Sequence, residues 1–311
     1  MPPLMVIAKF SISQPFLFVE KILTKKIKFT IIFLLKYERK EIGFMKRTER
    51  VGSIIKTLVD APNVTFSLSY FCDKYDAAKS SISEDIQAAS RAISETGTGR
   101  LETIVGAKGG VKYVPEISDK EIDLLRKEFA DRLSDSSRLL GGNFIYTSDL
   151  FYDAALVQKI ALFFAKKFSN TEADYIATVE TKGIPLAFSV AKYMGLPLVV
   201  ARREAKISEG STVSINYFSG SYDRIQKMSM SKRAMKPNSK VIVIDDFMRG
   251  GGSINGITEM INEFGSEVSG VGVAIAVKDV ANRKIKDFEC LVQLGDVDFD
   301  SKKIEIFALT N

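Results

Sequence analysis

The sequence predicts an α/β chain of two domains: a helix-turn-helix module with a β-hairpin, then a larger domain built on a parallel sheet. Three observations lead there. Apolar residues recur at helical spacing up to about residue 93, a glycine-flanked alternation follows to Val114, and from Asp174 short apolar strands alternate with helical stretches. Strand–helix alternation of that kind produces a parallel sheet covered by helices. The 311 residues suffice for roughly two domains, and the 46% apolar composition excludes a disordered chain.

Composition narrows the chemistry. Histidine is absent, which excludes a Ser-His-Asp triad, a Cys-His dyad and an HExxH zinc site. Cys72 and Cys290 lack CxxC spacing and are expected to be buried thiols in a reducing compartment, the cytoplasm. The net charge is +6, but residues 1–45 hold eight Lys/Arg and three Glu, so most of the excess belongs to this prefix. Residues 1–44 read as a translated leader before a start at Met45, with a membrane-surface anchor as the alternative. Their longest apolar run, Phe29 to Leu35, is too short for the ~20 residues of a membrane helix.

The first module covers residues 45–117. Val51, Ile54, Ile55, Leu58 and Val59 mark a helix, and Leu68 to Tyr75 a short second one with Leu68, Phe71 and Cys72 on one side. After a turn at Asp76 to Lys79, a third helix runs to Ile93 with Ile82, Ile86 and Ala89 inward and Ser83 as a candidate cap. The second helix of such a motif enters the major groove by its first turns, where short donors reach bases and phosphates. Lys79, Ser80, Ser81 and Ser83 are the candidate readers. Leu101, Thr103 and Val105, then Val111, Tyr113 and Val114, form the hairpin. Its Arg100, Lys108 and Lys112 are candidates for the phosphate backbone, with Lys46, Arg47 and Arg50 near the start. A helical protein-interaction domain is the competing reading.

The larger domain spans 118–311. Ser118 with Glu121 forms a capping box, and Ser148 is expected to cap a following helix through Leu156 and Ile160. Strands are expected at Tyr175–Val179, Leu196–Ala201, Val241–Ile244 and Val271–Val277, with helices at Ile184–Met194 and Ile254–Phe264. The stretch Val241 to Ser253 is the most informative. An apolar strand delivers Asp245 and Asp246, and Phe247-Met248-Arg249-Gly250-Gly251-Gly252-Ser253 leads into a helix. Consecutive glycines let backbone amides approach an anion, the helix start adds partial positive charge, and Ser253 offers a hydroxyl. Carboxylates accept paired hydrogen bonds from a vicinal diol. Phosphate beside diol describes a ribose 5-phosphate.

This run resembles the phosphoribosyl pyrophosphate (PRPP) motif of type I phosphoribosyltransferases. Thr181-Lys182-Gly183 falls where that family's pyrophosphate loop lies, and Arg202-Arg203 follows the next strand. Tyr146 joins these as a ligand-contact candidate. Glu209 to Arg224, with Ser211, Thr212, Ser219, Gly220 and Ser221, corresponds to the family's flexible loop, with a structural hairpin as the alternative. From Met45 onward the chain resembles the purine operon repressors of Gram-positive bacteria, through Lys46-Arg47, the Lys79-to-Ile86 helix, Gly109 to Tyr113, Thr181 to Ala187, Glu209 to Tyr217 and Asp245 to Gly256. The resemblance implies a winged helix joined to a phosphoribosyltransferase-like domain. It further implies a homodimer without transferase activity, binding control regions upstream of purine genes and released by PRPP. Whether Mg²⁺ accompanies PRPP is left open; no catalytic residue, metal site or membrane contact is expected. A purine phosphoribosyltransferase with an appended DNA-binding domain is the other function considered.

Overall fold

The computed structural model describes residues 45–106, 109–141, 144–204, 210–219 and 224–309. The expected leader, Lys108, Gly220 and Ser221 lie outside them, and Ser219 is described by its backbone. The chain falls into two compact units, Met1–Arg50 and Val51–Asn311. In the described part of the first, helix α1 (Arg47–Asp60) begins, the Lys46 amide donates to Glu49 at 2.9 Å, and the Arg50 guanidinium reaches the Met45 carbonyl at 3.4 Å.

In the second unit α1 is followed by α2 (Leu68–Tyr75), α3 (Lys79–Thr96) and the strands β1 (Gly99–Ile104) and β2 (Gly110–Pro115). Ser67 caps α2 by accepting the Tyr70 amide at 3.1 Å, and Asp76 ends it in the left-handed region. Ile54, Leu58, Phe71, Ile82, Ile86, Ala89 and Ile93 bury together against Val111 and Tyr113. Each buried Ile, Leu, Val or Phe here contributes about 1.5–3 kcal/mol by leaving water. β1 and β2 pair antiparallel from Gly99↔Pro115 to Ile104↔Gly110, and Phe66 adds a bridge to Val111. Three helices backed by this sheet make a winged helix.

Four expectations change. α3 starts at Lys79 with Ala78 at its cap position, so Ser83 lies in the second turn and caps nothing. Val105 is 91% exposed, because β1 ends one residue earlier. Cys72 is half-buried, whereas Cys290 is buried as expected. Ser148 opens only a four-residue helix, α5 (Ser148–Phe151), and the cap of α6 (Ala154–Lys167) is Asp153, which accepts the Ala155 and Leu156 amides at 3.1 and 3.2 Å.

α4 (Asp119–Leu133) opens on the Ser118–Glu121 capping box. A small ladder of β3 (Leu139–Leu140) and β4 (Phe144–Ile145) precedes α5. Then come β5 (Tyr175–Val179), α7 (Gly183–Met194), β6 (Leu198–Ala201), β7 (Thr212–Ser219), β8 (Arg224–Ser231), β9 (Lys240–Met248), α8 (Gly252–Glu263), β10 (Glu267–Val277), β11 (Glu289–Asp298) and β12 (Lys303–Ala308). The main sheet has the order β12-β11-β10-β9-β5-β6, parallel except for β12 at one edge. Period-two alternation sorts β9 between two cores. Ile242 and Ile244 pack with Phe164, Leu186 and Val190, while Val241 and Val243 pack with Met228, Ile257 and Met260.

The polar segment after β6 folds as the antiparallel hairpin β7–β8, in register from Thr212↔Ser231 to Ser219↔Arg224. Tyr217 lies over Gly256 of α8, where an added methyl would come within 2.8 Å of the ring. β12 was not foreseen. The chain passes from β5 outward to β6 on one side and from β9 to β10 on the other. That reversal between β5 and β9 opens a crevice beyond their carboxyl ends, where ligands of such sheets bind.

Candidate functional site

The acidic pair of β9 and the start of α7 meet at this crevice, with Lys182 and Arg203 close enough to act on the two carboxylates. β9 carries Asp245, 6% exposed, and the half-buried Asp246, whose amide donates to the Asp245 carboxylate at 3.0 Å. Burial pushes the Asp245 carboxyl well above the usual carboxylate range, and the neighbouring Asp246 adds to that. Asp246 is also raised by burial, partly offset by its bond to Asp245 and the charge of Lys182. Arg203 acts on Asp245 in the same favourable sense. The two carboxylates therefore share one environment but not one exposure. Asp246 is the one open to a ligand.

The start of α7 fits tightly against this pair. A methyl on Gly183 would collide with the Asp245 carboxylate and the Thr178 hydroxyl, so only glycine serves there. Thr181 is exposed, its peptide bond with Glu180 is cis, and Lys182 donates to Thr147 at 3.2 Å. Thr147 follows Tyr146, which is 45% exposed. Arg138 fixes this stretch by donating to Asp149 at 2.6 and 2.8 Å and to the Tyr146 carbonyl at 3.1 Å. At the end of β6, Glu180 accepts the Arg203 amide at 2.7 Å and pairs with Arg202 at 3.5 Å. Glu180 holds Arg202 and Arg203, and Arg138 holds the Tyr146 turn, contacts that no local sequence pattern marks.

On the other side of the acidic pair, Phe247 to Ile254 line a small hollow. Gly251 occupies the left-handed region at φ 78°, and Lys284 and Ile285 back the loop, the Lys284 amide donating to Gly250 at 3.0 Å. Arg249 is exposed, whereas the Met248 side chain is buried in the core; Met248 can offer a ligand only its backbone. Phe247 likewise packs partly against the core. Ser211 and Thr212 lie at the base of the hairpin, where the Lys232 amide donates to the Ser211 carbonyl at 2.9 Å.

Helix caps bear on the same places. Ser67, Ser118 and Asp153 close α2, α4 and α6 with side-chain bonds. The four-residue α5 starts without one, and so do the longer α3, α7 and α8. Their first amides and positive dipole ends remain available to anions. α7 and α8 open at the crevice; α3 is the expected groove helix.

In the winged helix, Lys79 and Ser80 are exposed at the start of α3, and Ser81 and Ser83 are half-exposed behind them. Lys46 and Arg47 are exposed, but Arg50 is only 9% exposed, which removes it from the phosphate contacts expected of it. Arg100 and Lys112 both carry ion pairs within the hairpin. Arg100 pairs with Glu116 and, at 3.9 Å, with Glu102, and Lys112 pairs with Glu102 at 3.6 Å. Both line a cleft of about 780 Å³ whose far wall carries Lys166, Thr171 and Met194 of the larger domain. The Arg100 side chain is 51% exposed and that of Lys112 22%.

Fold and site together define a class: a DNA-reading winged helix joined to a phosphoribosyltransferase-type domain. The family model for the bacterial purine repressor N-terminal domain matches residues 46–115, and that for the phosphoribosyl transferase domain matches residues 148–304. The chain is 39% identical over 261 residues to the purine biosynthesis transcriptional repressor PurR of Bacillus subtilis, covering 84% of this chain and 92% of that one. It is 40% identical over 263 residues to a probable purine biosynthesis transcriptional regulator of Streptococcus pneumoniae, with 84% and 96% covered. A purine biosynthesis transcriptional activator of Lactococcus lactis is 35% identical over 262 residues, with 84% and 97% covered. The chain belongs to this family of purine biosynthesis transcriptional regulators.

Proposed function

We propose that the protein is a DNA-binding repressor of purine biosynthesis genes, released from its operators by PRPP bound at the crevice. The observation that carries the reading is the acidic pair of β9, set between two helix starts that no side chain caps. Asp246 accepts the ribose diol, the α8 start and Ser253 hold the 5-phosphate, and the α7 start with Lys182 and Arg203 holds the diphosphate. Mg²⁺ fits as a companion carried on the ligand's phosphates with one carboxylate nearby, the usual mode of its binding. Among the described residues no group of three or more Cys, Asp and Glu gathers to hold a metal by itself.

Repression rather than activation follows the higher identity to the relative named a repressor. The domain acts as a sensor without transferase chemistry, in the cytoplasm, and as a homodimer that matches two half-sites. Exposed Phe144, Tyr152 and Phe188 supply apolar surface for a second copy. The match to the phosphoribosyl transferase domain favours a second reading, a purine phosphoribosyltransferase that also binds DNA. A gel shift on DNA from upstream of purine genes, with and without PRPP, run beside an assay for nucleotide from PRPP and purine base, separates the two. Release by PRPP without product supports the sensor; product formation at enzymatic rates overturns it.

A further inference from the structure

One helix links the ligand crevice to the DNA reader. α7 begins at Gly183, locked against Asp245 and Thr178, and ends at Met194 before the left-handed Gly195. Leu186, Ala187 and Val190 are wholly buried and Ala191 nearly so, so the helix moves with close-packed neighbours and not by bending alone. Its twelve residues span roughly 18 Å.

At the far end stands Asn63 of the winged helix. Its side-chain amide donates to the Tyr193 carbonyl at 2.7 Å, one of the acceptors a helix leaves open at its last turn. Its own backbone N–H donates to the Tyr113 carbonyl of β2 at 2.8 Å. A methyl on Gly195 would come within 3.0 Å of the Pro62 carbonyl and 3.2 Å of the Asn63 β-carbon, so chain and helix end touch directly. Asn63 itself sits at φ 58°, a conformation that asparagine tolerates better than most residues. One residue thus bonds the wing strand to the end of α7. Nearby, the cleft of about 780 Å³ leaves room for the wing to swing.

We propose that Asn63 is a positioning residue, through which α7 carries occupancy of the Asp245–Asp246 crevice to the wing. It touches neither PRPP nor DNA, and it sets the strength with which one affects the other. The inference rests on the function proposed above. An anion drawn to the start of α7 displaces the helix slightly along its axis, and the Tyr193 carbonyl takes Asn63 and β2 with it.

Asn63→Gly keeps the left-handed backbone and deletes the amide, and Asn63→Asp keeps the shape and replaces donor by acceptor. Operator affinity without PRPP, and PRPP affinity by calorimetry, should each stay within about twofold, while the factor by which PRPP weakens operator binding falls at least about fivefold. A folded variant of either kind that keeps the full factor overturns the role of Asn63. Hydrogen exchange on the unaltered protein provides a check that needs no substitution: PRPP should change protection at residues 63–64 and 111–114, and no change there overturns the proposal. If the unaltered protein's operator binding ignores PRPP, the functional reading falls and this role with it. If it responds and both variants respond equally, only the role of Asn63 falls.

Discussion

At the scale of single residues, the two adjacent aspartates of β9 have separate tasks. Asp246 faces the crevice, so Asp246→Ala should leave operator affinity within about twofold and weaken PRPP binding at least about tenfold, the loss expected for charge-assisted hydrogen bonds. A variant still released by PRPP at the usual concentration would move the site elsewhere. Asp245 is buried beneath the start of α7, and its proton is held more tightly in the folded chain than in the unfolded one. Stability from this group is therefore present below about pH 4 and lost as pH rises through the raised folded value. Asp245→Asn removes that loss. The variant should melt higher than the unaltered protein near neutral pH and alike in acid, and equal melting curves across that range would place the carboxylate in water.

At the scale of elements, α3 is the part whose role is most directly testable. Lys79→Ala with Ser81→Ala should weaken operator binding and flatten its dependence on salt by about 0.9 in the logarithmic slope, one phosphate contact's worth, with PRPP affinity unchanged. An unaltered gel shift would take α3 out of the groove. Elements that use local rules were legible in the sequence: α2 by its apolar spacing, α4 by its capping box, and β9 by an apolar run ending in two acids. Others were not. The hairpin alternates Val213, Ile215 and Tyr217 with polar residues, but its flanking Gly and Ser resemble a loop until α8 covers one face. β12 is a short edge strand of mixed polarity, paired only through β11. Of the crevice, Asp246 and the glycine loop were readable from spacing, and Lys182 through the family resemblance. Glu180, Arg138 and the backing by Lys284 and Ile285 depend on tertiary contacts that no local pattern records.

At the scale of the whole molecule, binding at the crevice should stabilise the chain as any ligand of the native state does. With PRPP at about a hundredfold over its dissociation constant the gain is about 2.7 kcal/mol, visible as a raised melting temperature that Asp246→Ala abolishes. No rise in the unaltered protein would leave the crevice without its ligand. The hollow between the wing and the larger domain has a separate consequence. It is open to solvent, and Arg100, Glu102, Lys112 and Glu116 on one wall face Lys166 on the other. A covalent strap closed across that gap would jam the joint, and operator release would then stop answering the effector however tightly it sat at its own site.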